Sequence, residues 1–334
     1  MRRRDTLVAL SAFCAFGAAV TPFASRAQQP GKPRRIAVLL GQSEKTPNAQ
    51  SRFAVFKESL AALGWAEGRN LSIDLRWTEG DVDRASVLAK ELVSLRPELI
   101  VCTTSAVTAA LRRETRTIPI VFIAVSDPVG SGFVKTLSQP GGNITGFVDL
   151  ESSLIEKSLE LLRELAPHVT RVAVMFNPDT APYAEYYLRP LKTAAPKLGV
   201  KSFTARVRSE SDIQEAITGL GRAPGGGLIV MPDSFMGVHH KSVIALAARH
   251  KVPATYFAGP WVASGGLSSY GPDVADLRRR AATYVDRILR GAKPEELPVQ
   301  QPVKFELFIN LKTAKALGLV IPESTLLRAD KVIE

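Results

Sequence analysis

The sequence predicts an α/β protein of two doubly wound lobes with parallel sheets, and three observations lead to that class. Short apolar runs rich in β-branched residues recur along the chain, among them Leu99–Cys102, Ile118–Val125, Arg171–Phe176 and Gly227–Met231. Such runs mark strands buried on both faces, as in a parallel sheet. Segments with helical apolar spacing alternate with them, the rhythm of βαβ crossovers. That rhythm completes four or five strands by Phe147-Val148 and restarts at Leu154, dividing the chain into two similar lobes. With 334 residues, 46% hydrophobic and 22% charged, the chain is long enough to bury both cores.

The first 27 residues stand apart. Arg2, Arg3 and Arg4 precede a nearly uncharged run, Leu7–Phe23, and Ser25-Arg26-Ala27 brings small residues just before Gln28. This pattern predicts a secretory signal peptide cut after Ala27. The apolar run is too short and alanine-rich for a membrane anchor. The paired arginines resemble a twin-arginine signal without the usual preceding Ser or Thr, so both export routes stay open. Cys14 leaves with the signal, and Ser11-Ala12-Phe13-Cys14 is a poor lipobox. Cys102 is then the single mature cysteine and reads as a small core residue. The formal charge of +11 falls to +8 once the leader is removed, since four of its residues are arginines against Asp5. The remaining basic residues (Arg112-Arg113, Arg171, Arg206, Arg208, Arg278–Arg280) are scattered without an aromatic-interleaved motif or zinc-finger spacing. Nucleic acid is not an expected partner.

After the polar linker Gln28–Arg34, Ile36–Leu40 is the first strand, closing on Gly41-Gln42-Ser43. Phe53, Phe56, Leu60 and Leu63 give Gln50–Leu63 a helical period, and Gly64 ends it. Leu71–Trp77 alternates as a strand, and the helix Asp83–Leu95 stops before Pro97. Ala106–Thr115 is the crossover helix between Leu99–Cys102 and Ile118–Val125, and Pro140–Gly146 leads into Phe147 and Val148. The second series runs helix Leu154–Leu165, strand Arg171–Phe176, helix Tyr183–Leu198, strand Lys201–Val207, helix Ser211–Leu220 and strand Gly227–Met231. Pro190 predicts a kink or break in the second of these helices. Pro232-Asp233-Ser234-Phe235 reads as a loop before helix Lys241–Lys251 and strand Ala254–Phe257. Asp273–Arg290 is a long amphipathic helix, Pro302–Leu311 a strand and Lys312–Leu317 a short helix. The expected first lobe is 34–147 with part of 270–300, and the second is 150–268 with part of 303–334. Crossings are expected near Phe147–Glu151, Leu267–Pro272 and Pro298–Val303.

In an open parallel sheet, ligands sit beyond the carboxyl ends of the strands. Those ends carry Ser43, Thr104, Ser105, Asp127, Asn177, Asp179 and Asp233, and Phe257 and Tyr270 offer aromatic surface to a planar ligand. A helix starting near Ser105 presents free N–H groups to a carboxylate or phosphate. Asp127, one strand away, suits a cation, so a zwitterion suits the two loops together. Turn chemistry alone explains Asp127-Pro128 or Asn177-Pro178, and helix capping explains Thr104-Ser105. The recurrence of such residues at strand ends in both lobes favours one shared crevice. Trp261 follows Gly259-Pro260, which points to lobe packing, and Trp65 and Trp77 read as core or surface packing. There is no GxSxG, HExxH, CxxC or P-loop, and Gly225–Gly227 precedes a strand as a turn. His168, His239, His240 and His250 lack a set of co-ligands, so no metal or cofactor is expected. A carboxylate pair, Asp127 with Asp233, keeps a cleft hydrolase open.

Several segments together carry a resemblance: Ser25–Gln29, Phe56–Gly64 followed by Trp65 and Glu67-Gly68-Arg69-Asn70, Arg76-Trp77, Pro119–Phe122 with Asp127–Gly130, Pro140–Gly146, and Asn310–Lys315. The chain resembles the ABC transporter substrate-binding proteins related to tryptophan- and tyrosine-binding lipoproteins. The resemblance covers nearly the whole mature chain, and Pro140–Gly146 is its sharpest element. It implies a type I periplasmic-binding-protein fold, with two Rossmann-like lobes, three crossing strands and a ligand held between them. It also implies a periplasmic monomer that captures an amino acid or another compact carboxylate, aromatic in characterised relatives, and docks on an ABC permease in the inner membrane. No catalysis or cofactor is implied. Carried over by position, Thr104 and Ser105 take the ligand carboxylate and Asp127 or Asp233 the ammonium. The chain departs from the lipoproteins in lacking the lipobox cysteine. The rivals to this reading are the hydrolase above and a ligand-sensing partner of a membrane receptor.

Overall fold

The computed structural model describes residues 33–45, 47–149 and 151–334; the expected leader, Met1–Ala27 with Cys14, lies outside the described residues. In the first lobe the apolar runs become β1 (Arg34–Leu40), β2 (Leu71–Trp77), β3 (Leu99–Thr103), β4 (Ile120–Val125) and β5 (Ile144–Val148), joined through α1 (Pro47–Ala62), α2 (Val82–Ser94) and α3 (Ser105–Glu114). The five strands are parallel, in the order β2-β1-β3-β4-β5. Every residue of β3 and β5 is buried, which is why these strands read as unbroken apolar runs.

The second series is α4 (Leu154–Leu165), β6 (Arg171–Phe176), α5 (Ala184–Lys197), β7 (Lys201–Arg206), α6 (Glu210–Gly221), β8 (Gly226–Val230), α7 (Ser234–Arg249), β9 (Ala254–Tyr256), α8 (Gly259–Ala263) and β10 (Ser268–Pro272). The chain continues through α9 (Val274–Leu289), β11 (Phe305–Asn310), α10 (Leu311–Ala316), α11 (Glu323–Arg328) and β12 (Lys331–Ile333). The second sheet has the order β12-β11-β10-β9-β8-β6-β7, parallel except where β11 runs against β10.

Each sheet is covered on both faces. In the first lobe, Phe56 and Leu60 of α1 and Leu277, Ala281, Val285 and Ile288 of α9 pack on Ile36, Val38 and Leu40. On the opposite face Ala89, Leu92, Val107 and Leu111 cover Leu39, Ile100, Cys102 and Phe122. In the second lobe α4 and α5 cover Val172, Val174 and Ile229, while α6 and α7 cover Ala173, Met175 and Val230. Thus α9 follows strands of the second sheet yet packs on the first.

The chain passes between the sheets after β5, at Asp273 and again between Leu297 and Phe305. These passages are bonded together: Val148 N donates to Gln300 O at 3.0 Å, Gln300 N to Gly146 O at 2.9 Å, and Asp273 N to Lys304 O at 3.0 Å. Gly146 closes the motif Pro140–Gly146 because a Cβ there would lie 2.1 Å from Phe122 O. Only glycine lets β5 approach β4 this closely.

The structure departs from the sequence reading at several elements. α7 begins at Ser234, seven residues before the expected Lys241, because Asp233 caps it by accepting from Met236 N. α5 runs through Pro190 and Pro196 without breaking. β11 starts at Phe305 instead of Pro302, and α8, α11 and β12 went unread. Their apolar stretches are too short to show a period.

Candidate functional site

The carboxyl ends of the strands in both lobes converge on one cavity. From the first lobe come Gln42 after β1, Thr104 after β3, Ala124 in β4 and Asp149 after β5. The second lobe contributes Val230–Ser234 after β8, Gly237 and His240 of α7, and Phe257, Ala258 and Trp261 after β9. Ala49 and Arg52 of α1 and Val274 and Arg278 of α9 complete the wall. The empty space is about 1030 Å³, open solvent at the mouth included.

Backbone strain lies on this wall. Thr104 has φ 71° and ψ 152°, a region populated almost only by glycine, and Ala124 has φ 58° at a register shift between β4 and β5. Each costs about 1–3 kcal/mol and persists only where packing dictates it. The conformation turns Thr104 away from capping α3: its side chain makes no cap hydrogen bond, and its buried Oγ1 has no partner.

The electrostatics are uneven. Asp233, 8% exposed, accepts from Met236 N at 2.8 Å, Asn177 N at 3.1 Å and Thr180 Oγ1 at 3.0 Å. Burial still pushes its carboxyl up to about 6. Asp149 accepts from Ser126 Oγ at 2.9 and 3.1 Å, and Ser126 Oγ accepts from Tyr187 Oη at 3.0 Å. That chain of bonds ties α5 of the second lobe to the end of β4 in the first. Arg278 is 3% exposed and Arg52 half-buried, and neither makes an ion pair or hydrogen bond among the described residues. Burial, and then the charge of Arg52, lower Arg278 to about 9. His240 is lowered as well, chiefly by burial, and its ring stacks on Trp261 at 5.5 Å.

Residues 44–333 match the family described as ABC transporter substrate binding protein, nearly the whole described chain. The chain belongs to that family. A tyrosine-binding protein from Clostridioides difficile (strain R20291) is 28% identical over 281 residues, 84% of this chain and 80% of that protein. The crystal structure of a conserved domain protein from Vibrio cholerae is 32% identical with a TM-score of 0.84, covering 90% of this chain and all of that one. The ABC domain from Streptococcus pneumoniae in complex with L-Trp is 28% identical with a TM-score of 0.82, at the same coverages. The two parallel-sheet lobes are the type I periplasmic-binding-protein architecture, and the α/β class expected from the sequence is the one found.

Within this substrate-binding fold the site residues expected from sequence divide. Thr104, Asp233 and Phe257 line the cavity. Ser43, Ser105, Asp127, Asn177, Asp179 and Tyr270 do not. Ser105 Oγ instead exchanges hydrogen bonds with the backbone of Ser126, at 3.2 and 3.1 Å. Asp127, at φ 43°, turns its carboxylate back onto Gly130 N at 2.8 Å and borders a separate surface crevice with Tyr183. Its turn geometry wins over the expected aim along the strand. Asn177 accepts from Asp179 N at 2.8 Å and shapes the loop that holds Asp233. Asp179 pairs with Arg208 at the surface, Ser43 accepts from Lys45 N, and Tyr270 stacks on Phe305 at 5.9 Å.

Sequence reasoning does not single out Gln42, Arg52, Asp149, Trp261 or Arg278 of the wall. Trp261 was read as lobe packing, but α8 turns it into the cavity. Arg52 and Arg278 sit on helices whose partner across the lobe only the fold reveals. Arg278 belongs to Arg278–Arg280, where charge alone does not distinguish the buried member from its exposed neighbour Arg279. Asp149 and Gln42 lie one or two residues beyond the strands, in positions the strand-end rule covers.

Proposed function

We propose that this protein is the periplasmic solute-binding component of an ABC importer, holding a small carboxylate-bearing ligand with a flat apolar body between its lobes. The observation that carries the reading is the cavity, which both lobes supply and which joins an apolar wall (Val230, Met231, Phe257, Trp261) to buried polar groups. Two lobes meeting at three passages suit hinge closure around a ligand. The mechanism is capture: the lobes close over the solute, and the closed form docks on the permease. Relatives that take tyrosine or L-Trp support an aromatic ligand with a carboxylate. Membership of a solute-binding family favours binding over hydrolysis, and Asp127 does not share the cavity with Asp233 as a hydrolase would need.

The test is a mass-spectrometric inventory of small molecules released from native exported protein, with uptake of the identified compound in cells lacking the gene. A stoichiometric compound whose uptake needs the protein is the expected result. Steady-state turnover of that compound by the purified protein would overturn the reading, as would uptake unchanged by deletion.

A further inference from the structure

The cavity wall carries two cations and two carboxylates, but their states differ. Asp233 already accepts from Met236 N, Asn177 N and Thr180 Oγ1 at the start of α7. Asp149 already accepts from Ser126 Oγ. Arg52 and Arg278 have no carboxylate and no hydrogen-bond acceptor among the described residues. The buried side-chain atoms of the wall left without a partner are Thr104 Oγ1, a hydroxyl that can donate or accept, and Arg278 Nε, a donor. No carboxylate oxygen of the wall is in that condition.

Leaving a buried donor unmade is costly, and an unpartnered buried guanidinium more so. A ligand that relieves the cost must bring negative charge to Arg52 and Arg278 and a hydrogen-bond partner to Thr104. A guanidinium matches a carboxylate in a two-point fork, and a second beside it adds charge that a single ammonium-bearing zwitterion would partly cancel. The wall also carries apolar and aromatic surface for a flat ring, through Phe257 and Trp261.

We infer that the site selects a net anion, an aromatic carboxylate without an ammonium group, gripped at its carboxylate by Arg52, Arg278 and Thr104. This rests on the solute-binding reading above and narrows its ligand class. It separates this protein from relatives that take amino acids: the anchor is the anionic end, and the wall carboxylates Asp149 and Asp233 already accept from protein donors.

The experiment is calorimetric titration of the purified protein, after unfolding and refolding to remove carried ligand, with two matched sets of probes. The first is indole-3-propionate, L-tryptophan and tryptamine; the second is 3-(4-hydroxyphenyl)propionate, L-tyrosine and tyramine. The carboxylates should bind at least about tenfold tighter than the matched amino acids, and the amines should not bind. Arg278→Gln should weaken the better carboxylate by at least about thirtyfold. Its empty form should melt no lower than the wild type, because the change removes an unpartnered buried charge. Arg52→Gln, on the less buried partner, is the second variant and should weaken the same probe. An amino acid binding tighter than its matched carboxylate overturns the inference and leaves the solute-binding reading standing. So does unchanged affinity in both arginine variants. Failure of every probe overturns the aromatic-carboxylate class, and if no small molecule co-purifies with the native protein either, the solute-binding reading falls with it.

Discussion

Replacing Asp233 by Asn should remove a pH dependence that the cavity builds into stability. Burial lifts the Asp233 carboxyl from its ordinary 3.8 to about 6, against the pull of hydrogen bonds from Met236, Asn177, Thr180 and Phe235. In the unfolded chain the carboxyl returns to its ordinary value. Between those two values the folded protein holds the proton more firmly, so this contribution is full below about 3.8 and is lost as the pH rises through 6. At 1.36 kcal/mol per unit, the whole effect is roughly 3 kcal/mol. About 2 kcal/mol of it falls between pH 4.5 and 7.5 on the same relation.

Asparagine keeps an oxygen to cap α7 but has no proton to lose. The lost contact to one donor is a constant cost and drops out of the slope, and His240 titrates in both proteins. Urea unfolding of wild type and Asp233→Asn across that pH range should therefore show the wild type losing about 2 kcal/mol relative to the variant as pH rises. Parallel profiles, agreeing in slope within about 0.5 kcal/mol, would refute the idea that this carboxylate is desolvated at the meeting of the lobes.

Tyr187→Phe removes the hydroxyl that joins α5 to Ser126 across the lobes; small-angle scattering should show a larger radius of gyration for the empty protein. Its affinity for a cavity ligand should fall up to about tenfold, the net worth of one buried hydrogen bond. Trp261→Leu keeps apolar volume but loses the ring, and calorimetry with the better-binding aromatic probe should show a loss of about tenfold. Asp127→Ala should cost about 1–2 kcal/mol by chemical unfolding, since a left-handed turn residue loses its bond to Gly130 N, while ligand affinity stays within about twofold.

What the sequence revealed and what it hid follow one physical line. β1, β3, β4, β6 and β8 were legible because strands covered on both faces must be continuously apolar, and helices between them must show a helical period. The strand-end rule reaches Thr104, Asp233 and Phe257, which line the cavity, because it depends only on where strands stop. It also brought in Ser105, whose hydroxyl is held by the backbone of Ser126 after the neighbouring strand, and Asp127, whose carboxylate turns back onto Gly130 N three residues on. Local hydrogen bonding of that kind competes with ligand binding for the same residue types. Arg52 and Arg278 were hidden for a different reason. They lie on helices separated by more than two hundred residues, and their shared environment arises only when α9 returns to pack beside α1.

That return places the two arginines and the aromatic surface on opposite lobes. Arg52 and Arg278 belong to helices of the first lobe; Phe257, Trp261 and Asp233 come from the second. If the lobes open as the proposed capture requires, both guanidiniums would face water and their mutual repulsion would be screened. Closure withdraws that water and brings two like charges into one apolar enclosure, so the empty protein resists it. An anion seated on the arginines reverses the sign of that term, while its ring meets Phe257 and Trp261 only if the second lobe comes down. The same ligand thus cancels the cost of closing and supplies the contact that rewards it, which is the differential affinity a two-state hinge requires. The strained backbones of Thr104 and Ala124 stand on the first-lobe side of this junction.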